Sequence, residues 1–477
     1  MPHGTLSKSA TITVVALALF VVVADAQLFD RNKPEVHPSI VEHFKYGSIG
    51  AEDRAGIPLW IWAVLPELFP QHLPQRPGRG YERFGLVVEP GKPRPIGTSV
   101  RERQIPLVGL NCAVCHTGTL RDQPGGQRQI ILGMPAHQFN LQAYQRFAFA
   151  CVGDPGFTPE RLLPAIAKIN SRFGWFDKLI YKWFVIPRTK EQGLRLAASF
   201  AFFEQRPPQG PGRVDTFNPY KVLFGFDMSA DTSVGTADLP SLFEQDSRDG
   251  LWLHRDGNND SVTERNKSAA IGAGASENSL DLAAMKRVED WIWDLKPPTF
   301  PRARIDAAMA EAGRALYNRH CGACHALGGE RTGKVIPLEE VGTDPGRVVS
   351  FTPQLAEKMN TLGEGRPWKA RRFRKTNGYA AMPLDGVWLR APYLHNGSVP
   401  TLRDLLAKPQ DRPAAFWRGY DVYDYERVGF LTSGAEAERE GFRFDTSVRG
   451  NGRLGHDYGT ELKAQEKDQL IEFLKTL

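Results

Sequence analysis

The chain has 477 residues, of which 41% are hydrophobic and 24% are charged. This length and apolar content exclude a chain too small to bury its own core and are typical of two or three globular domains. The 46 glycines and 35 prolines predict many loops, and the formal net charge of +6 is only weak evidence for an acidic partner.

The first residues have the pattern of a secretory signal. Lys8 precedes an apolar run from Ala10 to Val23, and Ala24–Ala26 supplies small residues where a signal peptidase cuts. The run is shorter than the roughly 20 apolar residues of a transmembrane helix, and no later segment is long enough. We therefore expect a signal peptide over 1–26, export to the periplasm or medium, and no stable membrane span.

Two copies of Cys-x-x-Cys-His are the most informative motifs in the chain. This motif is the attachment signal for c-type haem, because two thiols three positions apart reach the two vinyl groups of one porphyrin. The following imidazole then becomes an axial iron ligand. The two motifs predict two covalently bound haem c groups, with thioether bonds from Cys112, Cys115, Cys321 and Cys324 and axial bonds from His116 and His325.

Two other chemistries use paired cysteines. A zinc site would need a second close pair of ligands, and a thioredoxin-like pair would not need the trailing histidine. Both motifs here carry that histidine and lie about two hundred residues apart in the sequence. The haem interpretation is therefore preferred. The fifth cysteine, Cys151, follows an apolar stretch and is expected to be a buried packing residue.

The first half, residues 27–297, is predicted to be a haem domain enlarged by loops. Helical patterns occur near 135–152, 158–171 and 188–204, and no strand alternation stands out. The short apolar stretch Leu179–Ile186 contains Lys182 and is expected to be a buried helix or a surface loop.

Prolines at 297–301 mark the clearest domain boundary. A helix is predicted before it, over Leu280–Leu295, and another after it, over Ile305–Asn318. Within the second helix, Gly313 and Tyr317 lie four residues apart and so share a face. This pairing favours a close crossing with the last helix, Thr460–Leu477. Such a crossing resembles the core of class I cytochromes c, and this resemblance implies one cytochrome c domain over 298–477 with a large loop region inserted.

A basic run extends from Arg366 to Lys375. Basic residues interleaved with aromatic ones can indicate nucleic-acid binding, but the expected export argues against such a partner, so no nucleic-acid partner is predicted. A solvated loop is the preferred interpretation. Pairing with haem propionates or docking of a redox partner are the alternatives.

Several segments resemble a known superfamily. Ala391–Leu402 is similar to a segment of dihaem cytochrome c peroxidases and their relatives. Tyr46–Gly50, Asp256–Ser268 and Gly455–Gly459 are similar to the dihaem rubber oxygenase group of that superfamily. The resemblance extends from about residue 37 to the C-terminus. It implies a mostly α fold with two cytochrome c-like haem domains and long loops, the N-terminal domain being the larger.

The resemblance also suggests how the second iron is completed. It implies that His456 lies opposite His325 as the sixth ligand of the C-terminal haem. His395 is a rival, although the similar histidine of the peroxidases is not a ligand. Met382 is a third candidate, since methionine raises haem potential, but a packing role is preferred for it.

The sixth ligand of the N-terminal haem stays open. His137 and His254 are candidates, and each could equally be a hydrogen-bonded structural histidine. An open position would admit O₂ or H₂O₂. Trp252 and Trp388 are possible electron relays between haems, although core packing is the preferred role for both.

Three functions are compatible with these features. The N-terminal haem could activate O₂ on an apolar substrate, with electrons handled by the C-terminal haem. It could instead reduce H₂O₂, or both haems could only shuttle electrons. A redox partner protein or a small electron donor is expected in each case. A histidine at position 456 favours the oxygenase-like function, because peroxidases of this type need a high-potential donor haem.

Overall fold

The computed structural model describes residues 32–477, so the predicted signal peptide over 1–26 lies outside the described residues. Of these residues, 41% are helical and 12% are in strands or bridges, which is compatible with a mostly α fold. Within residues 32–477 the strands form six small sheets. No helix in that range combines the length and apolar character needed to cross a membrane.

The first half combines a small antiparallel sheet with surrounding helices. Its four strands run in the order β1, β3, β4, β2, and Val100 lies opposite Val108 in the register. The other strands pair as hairpins, β5 with β6 and β7 with β8. The strands are β1 (Lys33–Pro34), β2 (Ile57–Pro58), β3 (Thr98–Glu102), β4 (Leu107–Leu110), β5 (Thr117–Leu120), β6 (Gln129–Leu132), β7 (Arg213–Asp215) and β8 (Thr236–Asp238).

The helices of this half lie around the sheet and along its connections. They are α1 (Ile40–Tyr46), α2 (Glu52–Ala55), α3 (Leu59–Leu68), α4 (Leu141–Gly153), α5 (Pro159–Ile169), α6 (Trp175–Ile180), α7 (Ile186–Ser199), α8 (Phe217–Leu223), α9 (Val262–Gly272) and α10 (Leu282–Ile292). A π-helical turn over Tyr181–Val185 joins α6 to α7 without a break.

The second half has two longer helices and many short elements. Its helices are α11 (Ala307–His320), α12 (Gly322–His325), α13 (Leu338–Val341), α14 (Gly346–Ser350), α15 (Pro353–Met359), α16 (Leu402–Leu405), α17 (Ala435–Glu440) and α18 (Ala464–Leu474). Its strands are β9 (Val335–Pro337), β10 (Gly378–Ala380), β11 (Ala415–Arg418), β12 (Tyr423–Asp424), β13 (Gly429–Phe430) and β14 (Phe442–Asp445). They pair as β9 with β10, β11 with β14 and β12 with β13.

The predicted helices are present, with shifted ends. Helix α4 begins at Leu141 rather than near 135, because Asn140 caps it by accepting a hydrogen bond from the Ala143 amide at 3.0 Å. Helix α7 ends at Ser199, and the remaining residues to 205 form a separate 3₁₀ turn. The sequence analysis predicted none of the strands, because each has only two to five residues. Such short strands give no reliable alternation of apolar and polar residues. Cys151 is fully buried, as predicted.

The predicted crossing of α11 with the last helix, α18, is confirmed. A Cβ atom on Gly313 would lie 1.9 Å from the carbonyl oxygen of Gln469, so the two backbones touch at this point. Tyr317 packs beside the crossing, with its ring centre 5.0 Å from that of Phe473. Glycine is therefore required here by space.

We expect Gly313→Ala to lower the free energy of unfolding by about 3 kcal/mol, because the added methyl forces the two helices apart. Alanine alone would stabilise the helix by about 1 kcal/mol, so the sign of the change is diagnostic. Denaturant unfolding measures it, with Ala312→Gly at an exposed position of the same helix as the control for propensity. A Gly313→Ala protein as stable as the parent would contradict the close crossing.

The hydrophobic core around this crossing includes residues from both halves of the chain. Leu120, Met134 and Phe243 from the first half pack in the same cluster as Trp388 and Leu470 from the second half. A second large cluster is built from the first half alone. The division at 297/298 therefore crosses a shared core, and the domain boundaries 27–297 and 298–477 stay predictions.

A buried carboxylate joins the two halves. Asp421 accepts hydrogen bonds from Thr119 Oγ1 at 2.9 Å, Arg121 Nε at 2.7 Å and Arg128 Nε at 2.6 Å. The Arg121 amide also donates to the Asp421 carbonyl oxygen at 2.7 Å. Burial raises the pKa of Asp421, but Arg128 and Arg121 outweigh this effect and hold it at about 2. The β5–β6 hairpin is thereby tied to the C-terminal half.

We expect Asp421→Asn to remove a pH-dependent part of the stability. The carboxyl has a pKa of about 3.9 in unfolded chains, so its lower folded value contributes about 2 kcal/mol above pH 4 that is lost as the pH falls towards 2. Unfolding curves of parent and variant should differ at pH 6 and converge between pH 4 and pH 2. A difference that stays constant over this range would show that Asp421 does not hold its charge in the ion pair.

Candidate haem-binding sites

The first Cys-x-x-Cys-His motif forms the link between strands β4 and β5. Cys112–Val114 makes one 3₁₀ turn. Asn111 fixes its start, since its side chain accepts from the Ala113 amide at 3.0 Å and donates to the Gly47 carbonyl at 2.9 Å. The motif is thus held by a short turn between two sheet strands.

His116 follows this turn with its ring oriented by a backbone acceptor. Its Nδ1 lies 2.8 Å from the carbonyl oxygen of Pro240, an arrangement that places the proton on Nδ1 and leaves Nε2 with a lone pair. Burial lowers the pKa of His116 to about 4, although the Pro240 carbonyl acts in the opposite direction. The imidazole is therefore neutral at pH 7, the form in which histidine binds metals.

The second motif continues directly from α11. The Cys321 amide donates to the Tyr317 carbonyl at 2.8 Å, and the motif then forms the short helix α12. His325 Nδ1 lies 2.7 Å from the carbonyl oxygen of Met382. Met382 therefore contacts His325 through its backbone carbonyl, which accepts the hydrogen bond from the imidazole. Both motif histidines thus share one arrangement, with Nδ1 on a carbonyl and Nε2 left for a ligand.

None of the four motif cysteines forms a disulfide bond within residues 32–477. Burial raises the pKa of Cys112 to about 11 and those of Cys115 and Cys321 to about 12, and it also raises the pKa of Cys324. Reactive cysteines need thiolate character and so lower pKa values. The raised pKa values therefore argue against a reactive dithiol at either motif.

His456 lies opposite His325. The two ring centres are 6.2 Å apart, and the ring planes are inclined by 41°. Metal–nitrogen bonds of about 2 Å on both sides of one iron would place the ring centres about 6 Å apart. The residues at this position therefore fit a bis-histidine haem.

The loop that carries His456 is held by a buried arginine. The guanidinium of Arg412 donates to four backbone carbonyls, at 2.8 Å to Arg453, 2.7 Å to Gly455, 3.1 Å to Leu405 and 3.1 Å to His456. His456 itself has a positive φ of 54°, which is uncommon for a residue other than glycine. Arg412 therefore acts as a positioning residue for the loop.

His395, the rival ligand, is engaged elsewhere. Its Nε2 lies 3.0 Å from the hydroxyl oxygen of Tyr379, and the two rings stack with centres 4.0 Å apart. The Tyr379 hydroxyl also donates to the Asp344 carbonyl at 2.6 Å. This arrangement is that of a structural histidine.

The two candidates for the N-terminal haem differ in the same way. His137 is buried, its Nε2 lies 2.8 Å from the Thr119 carbonyl oxygen, and its ring stacks on Phe430 at 3.7 Å. His254 Nε2 is buried without a hydrogen-bond partner among the residues described. Burial and then Arg265 lower the pKa of His254, and Arg265 also lowers that of His116, so one guanidinium acts on both histidines.

An apolar cluster lies beside the first motif. Its buried members include several large side chains, and Cys112 packs against its margin. The ring of His254 lies 6.0 Å from that of Phe373, one of these members. The aromatic and thioether side chains of the cluster are Phe217, Tyr220, Phe351, Phe373, Met285 and Met359. The N-terminal motif therefore borders an apolar environment with His254 as a polar group at its edge.

The two tryptophans and the basic run have structural contacts. Trp388 is buried and donates from Nε1 to the Pro298 carbonyl at 3.0 Å. The guanidinium of Arg374 lies 3.6 Å from the ring centre of Trp252. Arg372 and Arg374 in the basic run both pair with Asp260. These contacts fit packing roles and a surface loop, and an electron relay through Trp252 stays a prediction.

Comparison with known families identifies part of the second half. Residues 378–418 match the family described as RoxA-like, cytochrome c-like. This segment is therefore similar to a cytochrome c-like family. It contains Met382 and Arg412, which orient His325 and the His456 loop.

Two proteins of Sinorhizobium fredii are similar to this chain. The protein y4iJ is 26% identical over 508 positions that cover 83% of this chain and 81% of y4iJ. The protein y4iM is 30% identical over 288 positions that cover 50% of this chain and 64% of y4iM. Both are named as uncharacterised, so they carry no functional information to this chain.

Proposed function

We propose that this protein is an exported dihaem c-type cytochrome and an oxidoreductase with two unequal sites. Cys112, Cys115 and His116 hold one haem, where O₂ is activated towards an apolar substrate. Cys321 and Cys324 hold the other, between His325 and His456, and this haem transfers electrons. The cytochrome c-like domain at residues 378–418 and the two Cys-x-x-Cys-His motifs support the proposal.

The two proposed haem sites differ most clearly in the surroundings of their motif residues. His325 faces a second imidazole at 6.2 Å, whereas Cys112 of the first motif lies at the edge of an apolar cluster. Haem c, when bound, supplies the iron for electron transfer or O₂ chemistry, and the protein decides between them through ligands, polarity and access. Two histidines close the C-terminal site to other ligands, and the apolar cluster suits a hydrocarbon near the N-terminal site.

A specific observation also supports electron transfer as a second candidate function. His254 Nε2 is a buried imidazole nitrogen without a partner among the described residues. If it binds the N-terminal iron, both haems are closed and the protein only carries electrons. In either case a redox partner protein or a small electron donor supplies the electrons. Peroxide reduction is less favoured, because a histidine rather than a methionine faces His325.

The experiment uses the purified protein with its haems. Haem content, visible spectra and electron paramagnetic resonance are recorded before and after CO is added to the reduced protein. We expect two haems per chain, of which one binds CO and one is low-spin and inert. A Cys112→Ser/Cys115→Ser variant should keep the inert haem and lose the CO-binding one.

The alternatives give different results. Two low-spin haems that ignore CO would overturn the oxygenase proposal and support electron transfer. If one haem binds CO, O₂ consumption with an unsaturated hydrocarbon is compared with H₂O₂ turnover by an artificial electron donor. H₂O₂ turnover without O₂ consumption would overturn the oxygenase function in favour of the peroxidase.

A further inference from the structure

A helical arm exposes an unusual set of large apolar side chains. The arm consists of α6, the π-helical turn and α7, and it contains five exposed residues that we name the aromatic face. Their exposed fractions are 75% for Trp175, 58% for Phe176, 46% for Leu179, 64% for Trp183 and 68% for Phe184. The sequence prediction of a buried helix or a surface loop over Leu179–Ile186 was therefore wrong for this face.

The aromatic face lies on one side of the arm. Trp175, Leu179 and Trp183 follow one another at intervals of four residues, the spacing that places side chains in one row along a helix. Phe176 and Phe184 are eight residues apart. Each directly follows a tryptophan of this row in the sequence and lies beside the row. Contiguous exposed apolar area of this kind marks a binding surface.

The arm itself is anchored in the core. Phe173, Tyr181 and Ile186 are buried members of the large N-terminal cluster, and the rings of Phe173 and Tyr181 meet edge to face with centres 5.0 Å apart. Asp177 caps the start of α6 by accepting from the Gly174 amide at 2.9 Å. The aromatic face is therefore presented by a fixed element rather than by a loose segment.

Basic residues flank and interrupt the aromatic face in the sequence. Among the residues that the structure describes, none of the five basic side chains between positions 172 and 190 lies within 4.0 Å of a carboxylate, whereas Glu191 pairs with Arg195 at 2.6 Å. Lys182 Nζ lies 5.3 Å from the ring centre of Trp183. The five are Arg172, Lys178, Lys182, Arg188 and Lys190. The only carboxylate in that interval is Asp177, which caps the helix.

We propose that the aromatic face binds the interface of an anionic phospholipid bilayer. Tryptophan is enriched at the headgroup level of membranes, and an amphipathic helix with basic flanks lies in the interface with its apolar side inserted. The unpaired basic side chains then meet lipid phosphates. A symmetric contact with a second copy would instead bring two sets of cations together, which costs free energy.

The test measures binding of the full-length haem-loaded protein to vesicles by co-sedimentation. We expect binding to vesicles of phosphatidylcholine with phosphatidylglycerol and much weaker binding to phosphatidylcholine alone. Lys178→Gln/Lys182→Gln should lower the partition coefficient about 30-fold at low salt. Trp183→Ser/Phe184→Ser should lower it by at least about tenfold.

A matched control uses two exposed apolar residues outside both the arm and the haem motifs. Val36 and Leu282 are 55% and 43% exposed, and Val36→Ser/Leu282→Ser should bind vesicles like the parent. An unchanged haem spectrum shows that each variant is folded. Absence of vesicle binding, or binding that the arm variants leave unchanged, would overturn the proposal. So would a dimer without lipid that the Trp183→Ser/Phe184→Ser variant abolishes, because the face would then bind a second copy.

Discussion

His456→Ala should convert the low-spin C-terminal haem to a high-spin form that binds CO. The reason is that His456 is the imidazole that faces His325, with ring centres 6.2 Å apart, and alanine offers no replacement nitrogen. Electron paramagnetic resonance should show the loss of one low-spin signal. CO titration of the reduced protein should show a gain of one binding haem per chain.

Two further variants make this prediction specific. His395→Ala removes the rival histidine, whose Nε2 meets the Tyr379 hydroxyl at 3.0 Å, and should leave the low-spin signal in place. Arg412→Met removes the donor to the 453–456 carbonyls and should give a mixture of low-spin and high-spin C-terminal haem. If His395→Ala abolishes the signal and His456→Ala does not, the ligand is His395 and the assignment made here is wrong.

The sequence was most informative where chemistry demands a fixed residue type at a fixed spacing. The motifs at 112–116 and 321–325 indicated haem attachment without any knowledge of the fold. Gly313 and Tyr317 predicted the crossing with α18. Only glycine fits at this position, because a Cβ atom there would lie 1.9 Å from a carbonyl oxygen of the other helix. Such features depend on local spacing, which the chain displays directly.

The features that escaped prediction depend on tertiary structure. The acceptors for His116 and His325 are the carbonyls of Pro240 and Met382, and a backbone carbonyl has no side-chain signature. Arg412 is 44 residues from His456 in sequence, so only the fold shows that it holds the His456 loop. The aromatic face likewise resembled a core segment, because hydrophobicity alone does not tell a buried residue from an exposed one.

The segment 252–257 contacts the chain that follows the second motif and also carries His254. The Trp252 amide donates to the Gly333 carbonyl at 3.0 Å, and a Cβ on Gly257 would lie 2.4 Å from a Val335 side-chain carbon. His254 lies between Trp252 and Gly257 in the sequence. Its ring is near that of Phe373, a member of the apolar cluster next to the first motif. The segment 252–257 thus touches the chain that follows the second motif, and its His254 lies near Phe373 of the apolar cluster that Cys112 borders.

His254→Ala is the variant that separates an enzyme from an electron carrier. In the proposed oxygenase, His254 is a polar group beside the N-terminal site, and its removal should lower O₂-dependent turnover about 100-fold, the usual cost of one hydrogen-bond donor at a reacting centre. The number of CO-binding haems should stay at one. Burial keeps the His254 ring neutral by lowering its pKa, so the loss should be the same from pH 6 to pH 8.

His137→Ala is the matched control, because His137 is already bonded to the Thr119 carbonyl at 2.8 Å. It should reduce stability by about 1–3 kcal/mol through the unsatisfied carbonyl and leave the turnover of the folded protein near the parent value. If His254→Ala instead turns a second low-spin haem into a CO-binding one, His254 is an iron ligand. Both haems of the parent are then closed, and electron transfer replaces O₂ activation as the function.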